Sequence, residues 1–204
     1  DAMLIQSYQY LSELPKESLI ECLSVFNTMA LKVCEGQQYD MDFEIQAEVD
    51  LKSYLKMIEY KTAVLVGAAM KMGAIVANAS TEDQNRCYEF GRNLGIAFQL
   101  QDDYLDAFGN PETFGKQVGG DILENKKTYL YLKALEFSSE KDQRQLKQLF
   151  SNDGSDFKDK IQIVKELFIA SGAAEATKKA ITSYTKKAFE VLQTLTITDK
   201  NKQI

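Results

Sequence analysis

The chain has 204 residues, 45% of them hydrophobic and 26% charged, and a formal charge of −6, which allows a sizeable core and argues against nucleic acid as a partner. Histidine is absent altogether, which removes His-based triads, HExxH zinc chemistry and most two-metal hydrolase sites. No stretch approaches eighteen uninterrupted apolar residues, so no membrane span is expected, and an acidic protein that binds an anionic substrate needs metal ions as go-betweens.

Cys22, Cys34 and Cys87 lie far apart with no CxxC pair. They fit buried or free thiols in a reducing compartment better than a disulfide framework. Prolines number only two, Pro15 and Pro111, and β-branched clusters are confined to segments such as "IQIV" and "TLTITD". The expected fold class is all-α.

In chain order, the first helix that can be argued in detail runs from about Asp50 to Asn78. Asp50 is a fitting N-cap. Leu51, Leu55, Ile58, Thr62, Leu65, Ala69, Met72 and Val76 follow at a sustained 4-3 spacing, one seam of a packed helix. Thr62 is the one hydroxyl on that seam, and Lys61 stands beside it. A threonine there is ordinarily structural, its hydroxyl bonded back to a carbonyl.

The second helix runs from about Glu82 to Phe108, opened by "TEDQ" at Thr81 to Gln84, which resembles a capping box. At 100° per residue, Gly91, Gly95, Gln99, Asp102, Asp103 and Asp106 share one side, with Arg92 near its start. Like charges at i,i+4 repel by a few tenths of a kcal/mol on a solvated helix. In a less polar setting, two carboxylates ~6 Å apart repel by about 3 kcal/mol at an effective dielectric of 20. An exposed polar face is one reading of the stripe. The other is a seat for Mg²⁺, which takes a few carboxylates plus water and phosphate oxygens. Two helical glycines one turn apart each cost roughly 1 kcal/mol relative to alanine, so a close neighbour or a ligand must need them.

The segment "GNPETFGKQVGG" follows, dense in turn formers and carrying Lys116. It fails as a P-loop: the glycine spacing is one residue too long, Gln117 replaces Ser or Thr, and a helix precedes it. Lys116 is either a solvated loop lysine or a phosphate contact folded over the acidic stripe. Asp121, with Glu124 three residues on, reads as the N-cap of a helix opening "DILENKKTYLYL", which puts Lys126 and Lys127 in its first turns. Two more amphipathic helices are expected over Asp156–Ile169 and Ala173–Leu195. "SSEKDQ" and "SNDGSD" read as connections, and one helical domain is the economical organisation.

Taken together, "YKTAVL", "GRNLGIAFQLQDDYLD" and "FGKQVGGDILENKKTYL" closely resemble the trans-type polyprenyl diphosphate synthases, over roughly Asp1 to Leu135. "FQLQDDYLD" resembles that family's second aspartate-rich motif, and "EGQQYDMDFE" at Glu35 to Glu44 its GQ segment. The resemblance implies an isoprenoid synthase-type helical bundle around a central cavity. It also implies a cytoplasmic homodimer that uses Mg²⁺, or Mn²⁺ in its place. The implied reaction joins isopentenyl diphosphate head-to-tail to an allylic diphosphate, giving a short product such as farnesyl or geranylgeranyl diphosphate. By the same analogy Asp102 ligates metal directly, and Asp103 and Asp106 hold it or its waters. Lys61, Lys116 and Lys126 grip the allylic diphosphate, Thr62 and Gln99 face the reacting carbons, and Phe98 shapes the pocket for isopentenyl diphosphate.

One departure stands out. The family's earlier DDxxD motif has no counterpart here, and "DAMLIQSYQYL" resembles the stretch that normally follows it. The expectation is a domain lacking its N-terminal portion, with little activity by itself. The alternative from another class is a non-catalytic synthase-like subunit that modulates an active partner.

Overall fold

Asp50 accepts a hydrogen bond from the backbone N–H of Ser53 at 2.7 Å, and the helix it caps is the one that the sequence argues first. The computed structural model describes residues 2–110, 118–151 and 159–202. Among them there are helices and turns and no strand. The order is α1 (Ala2–Ser12), α2 (Lys16–Ile45), α3 (Leu51–Ile58), a π-helical turn (Glu59–Ala63), α4 (Val64–Val76) and α5 (Thr81–Phe108). There follow α6 (Gly120–Leu123), α7 (Tyr129–Phe137), α8 (Glu140–Leu149), α9 (Lys160–Ala170), α10 (Ala173–Thr194) and a 3₁₀ turn (Asp199–Lys202).

The helix expected from Asp50 to Asn78 is therefore interrupted. Its middle widens into the π turn that carries Lys61 and Thr62, a local device common at functional sites. The wide turn breaks the 3.6-residue period on which the predicted seam rests. Beyond it Ala63, Val64, Gly67, Ala68 and Ile75 are buried, whereas Leu65, Ala69 and Val76 are exposed.

α5 is the axis of the bundle, packed most heavily against α4 and α10 and also touching the π turn, α6 and α7. The close packing has a steric condition. A Cβ on Gly95 would lie 2.5 Å from the Cα of Ala63 in the π turn, and one on Gly36 of α2 would lie 2.3 Å from the backbone nitrogen of Lys61. Both approaches are backbone to backbone, so only glycine fits. The neighbour that the α5 glycines serve is thus the protein itself. The largest apolar cluster, including Tyr54, Ile58, Ile96, Leu100, Ile122, Leu130 and Phe168, fills the space beneath the C-terminal half of α5.

Several boundaries differ from the sequence reading. Ser80, not Thr81, caps α5, its hydroxyl accepting from the N–H of Asp83. Asp121 is not an N-cap: it sits inside the single turn of α6, whose cap is Gly119 with φ +89°. Lys126 and Lys127 lie in the link between α6 and α7, because the helical turn stops at Leu123 and α7 starts at Tyr129. "SSEKDQ" is a helix start, with Ser139 capping α8 through the N–H of Asp142. α10 lies within the segment expected over Ala173–Leu195, and α9 overlaps the one expected over Asp156–Ile169, ending one residue beyond it.

Candidate functional site

A cavity of about 260 Å³ opens between α2, α3, the acidic end of α5, and α6 with its link to α7. Asp40 and Glu44 reach it from α2, Lys61 from the π turn, and Gln99, Asp102 and Asp103 from α5. Asp121 of α6 and Lys126 and Lys127 of the link close the far side, and Phe43, Met57 and Ile58 form apolar wall. Carboxylates and ammonium groups are thus gathered around one small space.

The lysines are already engaged. Lys61 pairs with Asp40 at 2.5 Å across the crossing of α2 and the π turn. Lys126 bonds Asp121 at 3.0 Å and Glu124 at 2.8 Å. Burial opposes the charge on Lys126, but the bonds to those two carboxylates outweigh it and hold the ammonium above its ordinary range. Lys127 donates at 2.8 Å to the carbonyl of Phe43, one of the last carbonyls of α2, which have no helical partner of their own. Burial lowers the Lys127 ammonium.

Behind the cavity runs a directional relay. The Thr62 hydroxyl donates to Gln99 Oε1 at 2.8 Å, and Gln99 Nε2 donates to Asp103 Oδ1 at 2.9 Å. The Tyr54 hydroxyl donates to Asp103 Oδ2 at 2.5 Å. Burial drives the Asp103 carboxyl up to about 7; the Tyr54 and Gln99 bonds pull it down, and the charges of Asp121 and Asp102 push it up. Those two carboxylates are the charged groups that dominate its surroundings, and both favour its neutral form. A cation in the cavity would reverse that.

The donor set is hard oxygen. Among the described residues no three carboxylates converge as a closed cage. Magnesium does not ask for one, since it binds through one or two carboxylates and keeps sites for water and phosphate oxygens. The residues present therefore fit a magnesium ion shared with a phosphorylated ligand, with Asp102 and Asp103 on the wall.

The predicted residues divide accordingly. Lys61, Gln99, Asp102, Asp103 and Lys126 line the cavity. Thr62 stands one residue back and orients Gln99. Asp106 does not line the cavity: its Oδ2 accepts from the N–H of Asp121 at 3.0 Å, which ties α5 to α6. Phe98 is 65% exposed on α5 and shapes no part of the cavity. Arg92 is held by Glu59 and Glu89, away from the acidic end. Lys116 lies outside the described residues.

The sequence context of Tyr54, Asp40, Asp121 and Lys127 does not mark them as site residues. Asp40 follows Gly36 by one turn, so the glycine that lets α2 approach the π turn also aims the acid at Lys61. Tyr54 carries no such signal, because the π turn between it and Lys61 breaks the helical period that would relate them.

A family model described as Polyprenyl synthetase matches residues 1–167. A short chain isoprenyl diphosphate synthase of Methanothermobacter thermautotrophicus is 38% identical over 183 residues, 90% of this chain and 55% of that protein. Among solved structures, a geranylgeranyl pyrophosphate synthase aligns with a TM-score of 0.93 and 48% identity, over 99% of this chain and 63% of that one. The geranylgeranyl pyrophosphate synthase of Corynebacterium glutamicum, solved with isoprenyl diphosphate and magnesium, aligns at TM-score 0.88 and 27% identity, over 98% of this chain and 57% of that one. The chain spans about half the length of the curated relatives it matches.

Proposed function

Because this chain belongs to the polyprenyl synthetase family, we propose that its acid-and-lysine cavity binds a diphosphate with magnesium, for prenyl transfer by the whole protein. The reaction is head-to-tail condensation of isopentenyl diphosphate with an allylic diphosphate such as dimethylallyl, geranyl or farnesyl diphosphate. One observation carries this reading: Asp102, Asp103 and Asp121 share a small cavity with Lys61, Lys126 and Lys127. Relatives named short chain isoprenyl, geranylgeranyl and geranylfarnesyl diphosphate synthases support a short trans-polyprenyl product. Work as a homodimer belongs to the same proposal.

Bound magnesium supplies charge neutralisation for the diphosphate as it leaves. Lys61 and Lys126 add fixed positive charge on the same leaving group, and a diphosphate contact by Lys116 is part of the same proposal. Asp102, on the cavity wall, would ligate the metal directly. Asp103, deeper and doubly hydrogen-bonded, holds the metal or one of its waters, and Asp106 acts by anchoring the turn that carries Asp121. The Gln99 amide is fixed by Thr62 on one side and Asp103 on the other, so its carbonyl dipole is set before substrate arrives. Phe43, Met57 and Ile58 keep water from the allylic cation. Loss of the allylic C–O bond gives that cation, and the isopentenyl double bond attacks it to form the new C–C bond. The proton then lost goes to the departing diphosphate, a route that needs no histidine.

Asp102→Ala in the whole protein tests the assignment. Turnover of isopentenyl and geranyl diphosphates with Mg²⁺ should fall by about 100-fold or more, with the circular dichroism spectrum unchanged. Turnover within about twofold of the parent would remove Asp102 from the metal site.

A further inference from the structure

Tyr54 is 1% exposed, among the most buried side chains of the protein, yet it carries a polar group into the wall of the cavity. Its hydroxyl is not satisfied by a nearby backbone carbonyl. It donates to Asp103 Oδ2, 49 residues away, at 2.5 Å. Gln99 takes the other oxygen, Oδ1, at 2.9 Å, and Thr62 fixes which end of that amide faces Asp103.

The geometry has a chemical consequence. An ionised carboxylate has about four lone-pair directions. With one directional bond on each oxygen, the carboxyl plane cannot rotate, and one lone pair on each oxygen stays free of these donors. Phenylalanine would pack the same volume in the cluster of Ile58, Leu100 and Leu130 around it. It would leave Asp103 Oδ2 without a donor and the carboxyl able to turn.

We propose that Tyr54 is a positioning residue for metal binding: its hydroxyl, opposite Gln99, locks the Asp103 carboxylate in the orientation that receives magnesium or a magnesium-bound water. This rests on the magnesium-diphosphate reading of the cavity. Groups behind a ligand commonly set its affinity in this way, and losing one weakens metal binding by about 10–100-fold. A purely structural hydroxyl would affect stability and leave metal affinity alone.

The test is a double-mutant cycle read by calorimetric titration of Mg²⁺ in the presence of inorganic pyrophosphate. Tyr54→Phe should weaken Mg²⁺ by about tenfold or more, and in an Asp103→Asn background the same change should have no further effect. Unchanged affinity in the single variant overturns the proposal, as does an equal loss in both backgrounds, which would show that Tyr54 does not act through Asp103. A parent protein that takes up no Mg²⁺ with pyrophosphate sinks the magnesium reading itself and this inference with it. Should Tyr54→Phe fail to fold, the parent still decides. Its buried Tyr54 hydroxyl proton should give a slowly exchanging downfield resonance that shifts when Mg²⁺ and pyrophosphate are added, and a resonance unmoved at saturation overturns the proposal.

Discussion

Asp40 and Lys61 meet at 2.5 Å where α2 crosses the π turn, at the point where Gly36 lets the two backbones touch. The pair puts a carboxylate against the ammonium that is proposed to hold diphosphate. Before ligand arrives, Asp40 holds Lys61 extended into the cavity, and it also competes with any anion for the same proton donors.

That competition predicts the effect of Asp40→Asn. Removing one negative charge from the wall should tighten metal-free pyrophosphate binding several-fold, whereas Lys61→Met should weaken it. Stability should change by less than about 1 kcal/mol, because the pair is partly solvated. Calorimetry without divalent metal reads both variants. Weaker binding by Asp40→Asn would mean that orienting Lys61 matters more than the competition.

The Asp103 carboxyl makes stability depend on pH. Burial raises it to about 7 in the folded protein without metal, against about 3.9 for a carboxyl in an unfolded chain. Between those values the folded state binds more protons than the unfolded one, so stability must fall as pH rises through that window and then level off. The group's contribution is at most about 4 kcal/mol. Urea unfolding at pH 5 and pH 8 should find the metal-free protein losing stability from this group, and Asp103→Asn should flatten the difference. Saturating Mg²⁺ with pyrophosphate should restore stability at pH 8, since a cation beside the carboxylate favours its ionised form. An identical pH response in Asp103→Asn would remove Asp103 as its source.

Much of this was legible in the sequence, for reasons that differ by residue. The long α5 announces itself by length, period and polar opening, and its glycine–glutamine–aspartate side faces the π turn and the cavity as the 100° rule requires. Fold class and family follow from ordered motifs. The π turn is invisible to periodicity, because a single wide turn changes the register without changing composition, and the predicted seam beyond Thr62 was shifted by one position as a result. Asp121 reads as a cap because aspartate is a common N-cap, yet it lies inside α6 and lines the cavity. Asp106 lies on the acidic stripe, yet the stripe is wider than the cavity, and its carboxylate turns to the backbone of α6. Tyr54 was hidden by being a tyrosine in a helix that needs a large apolar residue there. The pairing with Asp103 depends on two helices whose contact no local pattern encodes.

Glycine substitutions should separate packing from propensity. At Gly95 a methyl group would fall 2.5 Å from the Cα of Ala63 and 2.9 Å from its Cβ, and backbone cannot yield as a flexible side chain does. Gly95→Ala must push α5 away from the π turn, at a cost of about 1–3 kcal/mol or more, and with it displace the Thr62–Gln99 bond. At Gly73, an exposed position of α4, nothing lies within 4 Å of the added methyl. There the smaller entropy of an unfolded alanine, and its better helix propensity, should raise stability by about 0.5–1 kcal/mol. Chemical denaturation of the two variants should therefore move the midpoint in opposite directions. Gly95→Ala as stable as the parent would mean that α5 and the π turn do not meet at the distance observed, and that the relay behind Asp103 is not held by their contact.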